Sequence, residues 1–380
     1  MYYITNGVIR SAINLKFIDL FSGAGGLSLG LIQSGMTPIL SVELDAQAAL
    51  TYSKNFNHKC LIEDITKMSG EFLVHQAADR PDIIVGGPPC QGFSTVGKRD
   101  ASDKRNDLVN HFIRIVNEIK PEYFIMENVL GLKDMKFIEH VEQSFENIGY
   151  NNSHYIFTSA DYGVPQYRRR VVFIGSLNSG YFVQPKALYT KENYTSVIDA
   201  IGDLPEILPG QEITCYDKPP ITEFQRNMRE DNIVLQGHQA SKHNERLIQA
   251  ISFIEDGGNR TSIPEQYQPN SGFHNSYSRL SSKKPAVAIT QNMSKPSGTR
   301  CIHPFQNRGL TPREGARLQT FPDNFFFYGT GTSQRLQIAN AVPPLLAAAI
   351  GRSIQNPSLW CMNKPMINNN IDLNIELEFA

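Results

Sequence analysis

Between Leu15 and Ser176, short apolar runs alternate with stretches whose apolar residues recur at helical spacing. That rhythm predicts an α/β fold with a doubly wound, mostly parallel sheet. The runs place strands at 17–21, 39–43, 83–85, 123–126 and 170–175. Short apolar runs bounded by glycine and proline mark strands buried on both faces, whose carboxyl ends collect ligands. Leu108, Phe112, Ile115, Val116 and Ile119 form one apolar stripe of a helix over 107–119, which reads as core packing.

After Gly175 the rhythm stops. Pro185, Pro205, Pro209, Pro219, Pro220, Pro264 and Pro269 punctuate a polar stretch that predicts a second, smaller, irregular domain. One helix interrupts it over 246–254, with Gly257-Gly258 as its stop. Regular structure returns at Thr311-Pro312-Arg313-Glu314, where threonine caps a helix with proline first and an acid in its first turn. A further helix over 345–350 follows Pro343-Pro344. The divisions fall at 1–183, 184–310, 311–355 and 356–380, the last read as a loosely held tail.

Composition narrows the class. A chain of 380 residues, 41% hydrophobic, is long enough for two globular domains. Cys60, Cys90, Cys215, Cys301 and Cys361 stand apart without C-x-x-C pairs, which argues against zinc ribbons and disulfide frameworks and for a reducing cytoplasm. No run approaches the roughly 20 apolar residues that span a bilayer, so no membrane association is expected. The formal charge of −1 gives no overall pull on nucleic acid, and any such binding needs a locally basic face.

Candidate chemistry begins where the 83–85 strand ends, in Gly86-Gly87-Pro88-Pro89-Cys90-Gln91. Proline fixes its own φ and restrains the residue before it, so Cys90 sits on a stiff loop. A positioned thiol is a nucleophile; a buried structural cysteine is the plain alternative. The first strand runs into Phe21-Ser22-Gly23-Ala24-Gly25-Gly26, either a cofactor turn or a simple tight turn. Ser28 stands where a dinucleotide fingerprint needs its third glycine, which counts against a nicotinamide-dependent oxidoreductase.

Glu43 ends the second strand, placed to accept from ribose hydroxyls. Asp64 is read as an adenine-amine acceptor or a helix N-cap. Glu127 directly follows an apolar strand, as a proton donor with a raised pKa or as a capping or salt-bridged acid. Arg168 and Arg170 share a face in extended chain, suited to a phosphate or a polarised carbonyl, or simply a solvated basic strand start.

In order and content these segments resemble the motif set of the DNA cytosine-C5 methyltransferases. The matching blocks are Phe21 to Gly26, Glu43, Asp64-Ile65, Pro88-Pro89-Cys90-Gln91, Glu127-Asn128-Val129 and Gln166 to Arg170. Two more are Arg308 to Glu314 through Phe321-Pro322-Asp323, and Gln337-Ile338-Ala339-Asn340-Ala341-Val342-Pro343-Pro344. Together they span roughly 15–352.

The resemblance implies an S-adenosylmethionine-dependent methyltransferase fold, with that molecule as cofactor and no metal. Phe21, Gly23, Ala24, Gly26, Glu43, Asp64, Ile65, Pro89, Leu108, Asn340, Ala341 and Val342 would hold it, Phe21 against the adenine. Ala341 departs from the serine frequent at its position, which puts one polar contact in doubt. Cys90 would add to C6 of a flipped cytosine while Glu127 serves N3, with Arg168 at O2 and Arg170 in support. Residues 1–183 would form the catalytic and cofactor-binding domain, 184–310 the target-recognition domain and 311–355 a hinge and return segment. Double-stranded DNA is the implied partner, with a cognate restriction endonuclease acting separately, in a bacterial cytoplasm. A transfer-RNA cytosine-C5 methyltransferase and a catalytically silent DNA-binding relative are the alternatives.

Overall fold

The computed structural model describes residues 3–5, 8–10, 14–89, 107–129, 135–231, 234–268, 276–298 and 300–365. Cys90 and Gln91 lie outside the described residues, as does most of the expected tail.

Seven strands make the central sheet: β1 (Lys16–Leu20), β2 (Thr37–Glu43), β3 (Cys60–Ile62), β4 (Ile83–Gly86), β5 (Tyr123–Val129), β6 (Asn151–Thr158) and β7 (Arg169–Ser176). Their order is β3-β2-β1-β4-β5-β7-β6. The five from β3 to β5 pair in parallel, and β7 runs antiparallel to both β5 and β6. The mostly parallel sheet expected from the sequence is therefore present, with one reversed strand near its edge.

Period-2 alternation explains both faces. Ile18, Ile84, Phe124, Met126, Val171 and Phe173 join one core, which includes residues of α3 (Gly70–Ala77), α4 (Asp107–Ile119) and α5 (Met135–Asn147). Phe17, Ile83, Val85, Ile125, Val172 and Ile174 join the other, with α1 (Gly26–Gln33) and α11 (Pro344–Ile354). Gly30 permits the α1–α11 contact, since a Cβ there would lie 2.2 Å from the Pro344 carbonyl oxygen. α2 (Ala46–Asn55) follows β2, capped by Asp45.

The 184–310 region is irregular, as its prolines predict, and carries α6 (Val197–Ile201), α7 (Glu223–Arg229) and α8 (Glu245–Ser252). α8 begins at its Asn244 cap and ends at Phe253, before the expected glycine stop. A third core joins Val197, Ile201, Leu280, Ile289 and Leu310 to residues of α9 (Pro312–Leu318) and α10 (Gly331–Asn340). Arg317 crosses that junction to Asp203 at 2.9 Å and to Asp323 at 2.5 Å, all three buried.

Two expectations change. The chain after 355 is not loosely held at its start: Trp360–Cys361 pairs antiparallel with Tyr181–Phe182, and the Trp360 ring packs 5.0 Å from Tyr123. A large apolar ring that finds a partner outweighs the polar residues around it. β5 also runs to Val129, so Glu127 lies within the strand rather than after it, opposite Val172 of β7.

Candidate active site

The chain order runs outward from β1 to β3 and then returns to β4, which makes the β1–β4 boundary a switch point where connections leave in opposite directions. A cavity of about 570 Å³ opens at these carboxyl ends.

Its floor is the turn after β1. Phe21 takes the left-handed region at φ 61°, Gly23 follows at 55° and Gly25 at 98°. Gly25 stands at the α1 N-cap position with no side-chain cap. A Cβ on Gly26 would lie 2.3 Å from the Val342 carbonyl oxygen, so glycine lets the returning 340–342 segment close against the turn. That contact unites residues more than 300 positions apart in one wall.

Every residue that the sequence assigned to cofactor binding lines this cavity. Phe21, Gly23, Ala24 and Gly26 come from the turn, and Glu43, Asp64 and Ile65 from the ends of β2 and β3. Pro89 and Leu108 stand on either side of the undescribed segment, and Asn340, Ala341 and Val342 follow α10. Glu43 is held by two backbone donors, Gly23 N–H at 2.7 Å and Asp45 N–H at 2.8 Å. Burial raises its pKa against those bonds. Asp64 caps the 3-10 turn Ile65–Lys67 through Thr66 N–H at 3.0 Å, so the capping role exists alongside its place in the cavity wall. That bond lowers its pKa.

Glu127 also lines the cavity, at the end nearest the Gly87–Pro89 loop. A Cβ on Gly87 would lie 3.1 Å from Glu127 Oε2. On β5 and β7, Glu127 and Arg170 continue the stripe of Ile125 and Val172 past the point where the hydrophobic core stops. They pair at 2.8 Å, both largely buried. Burial raises the Glu127 pKa, with Arg170 and then Arg168 opposing the rise. Arg168 precedes β7 and is buried, donating to the Ala339 and Ile289 carbonyls at 2.8 and 3.4 Å. Its Nε is buried without a hydrogen-bond partner among the described residues. Neither arginine forms a solvated strand start.

Sequence reasoning missed other lining residues. Asp19 lies on β1 beneath the turn; its Oδ2 accepts from Ser28 at 2.6 Å and its Oδ1 is buried without a partner among the described residues. Burial pushes its pKa up to about 7. Behind it, Ser28 meets the Tyr52 hydroxyl at 2.7 Å, and that hydroxyl meets His58 Nε2 at 2.6 Å. Strand alternation puts Asp19 on the same face as Phe17, the one available signal. Ser333, Leu336 and Gln337 enter from α10 at three- and four-residue spacing with Asn340.

Six acidic side chains line the cavity, Asp19, Glu43, Asp45, Glu63, Asp64 and Glu127, and no Lys, Arg or His does so among the described residues. Such a wall favours a cationic ligand rich in hydrogen-bond donors and repels a pyrophosphate. Among the described residues there is no group of three metal-ligating side chains, and no helix long and apolar enough to cross a membrane.

A parallel sheet with one reversed strand and a carboxylate-lined cavity at its switch point define a nucleotide-type binding enzyme fold. The family model for C-5 cytosine-specific DNA methylases matches residues 15–356. A Type II methyltransferase of Haemophilus parahaemolyticus, M1.HphI, is 39% identical over 350 residues, covering 90% of this chain and 87% of that protein. M.DdeI of Desulfomicrobium norvegicum, another Type II methyltransferase, is 38% identical over 396 residues, covering 96% and 92%. A prophage-encoded protein of E. coli, described as a DNA modification methyltransferase, superimposes with TM-score 0.72 at 27% identity, covering 90% of this chain and 99% of that one. The chain therefore belongs to the C-5 cytosine-specific DNA methylase family. It is a DNA cytosine-C5 methyltransferase of the restriction-modification type.

Proposed function

We propose that the cavity binds S-adenosylmethionine and that the enzyme methylates C5 of a cytosine flipped out of a specific duplex sequence, through a covalent Cys90–C6 adduct. The wall of six acidic side chains, without a basic residue among the described residues, carries the cofactor reading. It suits a molecule with a sulfonium and an ammonium, and it disfavours the nicotinamide dinucleotides. Phe21 would lie against the adenine, with Asp64 at its amine and Glu43 on the ribose. Gly26 leaves room beside Val342 that a Cβ would fill. When bound, the cofactor supplies an electrophilic methyl group.

Cytosine C5 is too electron-poor to take that methyl group unaided. Cys90, one peptide bond beyond Pro89, adds its thiolate to C6. The electrons displaced from the C5–C6 bond reach N3, where Glu127 donates a proton. Burial supports that role by favouring the protonated acid, and Arg170 keeps the carboxyl oriented. C5 is then nucleophilic. After methylation the C5 proton leaves to a base, an ordered water being one candidate, the electrons of that C–H bond expel the sulfur from C6 as a thiolate, and N3 returns its proton to Glu127. Arg168, with its Nε unpartnered, serves the pyrimidine O2 in this reading.

Residues 1–183 and 311–355 form the catalytic unit and 184–310 the target-recognition domain, which reads base edges while Lys and Arg hold phosphates. The bacterial Type II relatives support a cytoplasmic enzyme that works beside a separate cognate endonuclease. Purified protein incubated with duplex DNA and methyl-labelled cofactor should place label on cytosine C5. Label on adenine or on cytosine N4 overturns the proposal, and transfer RNA as the preferred acceptor would move it to the RNA alternative.

A further inference from the structure

Gln337 is buried in the cavity wall with one end of its amide committed and the other without a partner. Its nitrogen donates to the Tyr328 carbonyl at 2.9 Å and to the Ser333 hydroxyl at 3.0 Å. A backbone carbonyl only accepts, so the end facing Tyr328 must be the nitrogen, and the orientation of the amide is settled. Oε1 is then the end left over, a buried acceptor with no hydrogen-bond partner among the described residues. Such an atom is unfavourable in an empty cavity and is satisfied by a ligand that brings a donor.

The support behind Gln337 is rigid. Tyr328 N–H donates to Thr51 Oγ1 at 2.9 Å, and Thr330 N–H donates to Gln47 Oε1 at 2.8 Å. Asn55 bonds both the N–H and the C=O of Phe326, at 3.0 and 2.8 Å. These contacts tie the start of α10 to α2, whose Ala48 shares the cavity wall with Gln337.

We propose that Gln337 Oε1 accepts a hydrogen bond from the α-ammonium group of S-adenosylmethionine and is a positioning residue for its amino-acid end. The inference rests on the cofactor reading above and goes beyond it to a residue that reading does not use. The cofactor has donors at only three places: the adenine amine, the ribose hydroxyls and the ammonium. Asp64 and Glu43 take the first two. The ammonium remains, and it is the donor with three N–H groups and a charge. Asp19 Oδ1 and Ser22 Oγ on the same cavity wall are also buried without hydrogen-bond partners among the described residues.

Calorimetry with two ligands tests this: S-adenosylhomocysteine, which keeps the ammonium, and its des-amino analogue, which lacks only that group. The proteins are wild type, Gln337→Met and Gln337→Asn, the second retaining the amide but withdrawing the oxygen by one methylene. Loss of a hydrogen bond to a charged group predicts about tenfold weaker binding of S-adenosylhomocysteine by either variant. The des-amino analogue should bind all three proteins within about twofold, a selectivity that a purely structural role would not produce. Equal losses for both ligands overturn the proposal, as does no loss for either. If wild type binds neither ligand, the cofactor reading itself fails, and the inference falls with it.

Discussion

Glu127 and Arg170 meet at 2.8 Å on adjacent antiparallel strands, two residues apart in register and on the same face, where the stripe of Ile125 and Val172 ends. The pair is the point at which core packing becomes chemistry. Burial favours the neutral acid, and the guanidinium keeps it from being left alone.

Removing either member should therefore harm turnover more than cofactor binding. Glu127→Gln should lower kcat about a hundredfold or more, the usual range for a positioned acid. Arg170→Met removes a charge that lowers the Glu127 pKa, so that pKa should rise further while kcat falls. If Glu127 acts as an acid, kcat should fall as pH rises through its pKa. Steady-state kinetics with calorimetry for the cofactor separate the two effects, and unchanged kcat in Glu127→Gln removes the acid from the mechanism.

Cys90→Ser should abolish turnover and leave cofactor affinity within about twofold, since a hydroxyl is a far weaker nucleophile than a thiolate. Duplex DNA carrying 5-fluorocytosine at the target should trap wild type, but not the variant, as a complex stable to denaturing gels. Turnover near wild type would sink the nucleophile assignment.

Cofactor affinity should depend on pH through Asp19. Its pKa is raised to about 7, so below that value the cavity holds a neutral acid and above it a carboxylate. A cationic ligand binds the ionised form better, so affinity should rise between about pH 6 and about pH 7.5, with proton release on binding near neutrality. The titratable groups coupled to Asp19 are Glu43, Tyr52 and Cys60. Asp19→Asn should flatten the profile, as measured by calorimetry in buffers of different ionisation enthalpy.

Gly26→Ala places a methyl carbon 2.3 Å from the Val342 carbonyl oxygen, a backbone atom with no flexible end to yield. The return segment must move away from the turn. Weaker cofactor binding by about tenfold or more is expected, together with a lower melting temperature. Gly35→Ala is the contrasting control for space, since nothing lies within 4 Å of its Cβ position; its φ of 93° adds local strain without touching the cavity.

The α9 region predicts a stability effect with a sign. Glu314 accepts hydrogen bonds from the two terminal guanidinium nitrogens of Arg308, at 2.6 and 2.8 Å. Burial alone would raise its pKa, yet Arg308 outweighs burial and holds the carboxyl well below the usual range. That contribution is present above the unfolded-state pKa and is lost only as pH falls toward the depressed folded value. Arg308→Met removes the cationic partner of the buried acid, leaving the Thr311 N–H at 2.8 Å as a donor, and should cost about 3–5 kcal/mol in urea unfolding. A loss below about 1 kcal/mol would show the pair to be dispensable.

Strand positions and the acid at the end of β2 were legible in the chain because each is a local pattern. Ile83 to Val85 reads as a buried strand from its own residues, and Thr311-Pro312-Arg313-Glu314 announces its helix through capping chemistry. β6 was not legible, because Asn151, Asn152, Ser153 and His154 open it with polar side chains. Their partners come from elsewhere: Asn152 donates to the Glu142 carbonyl at 3.1 Å, and His154 meets the Glu142 carboxyl at 2.8 Å. Asp19 was hidden for a related reason, since an acid inside an apolar strand shows its environment only after folding.

By itself the sequence determined most of the alternating strands and helices, the irregular middle and the candidate residues for binding and reaction, since propensity, periodicity and turn chemistry act over a few neighbours. Only the tertiary structure decided which of them meet. Packing α11 against α1 carries Asn340 to Val342 across the chain onto the turn at Gly26, and the antiparallel β5–β7 pair sets Arg170 against Glu127. Those contacts, and the raised pKa values of buried Asp19 and Glu127, follow from exclusion of water by distant segments, which no local pattern encodes.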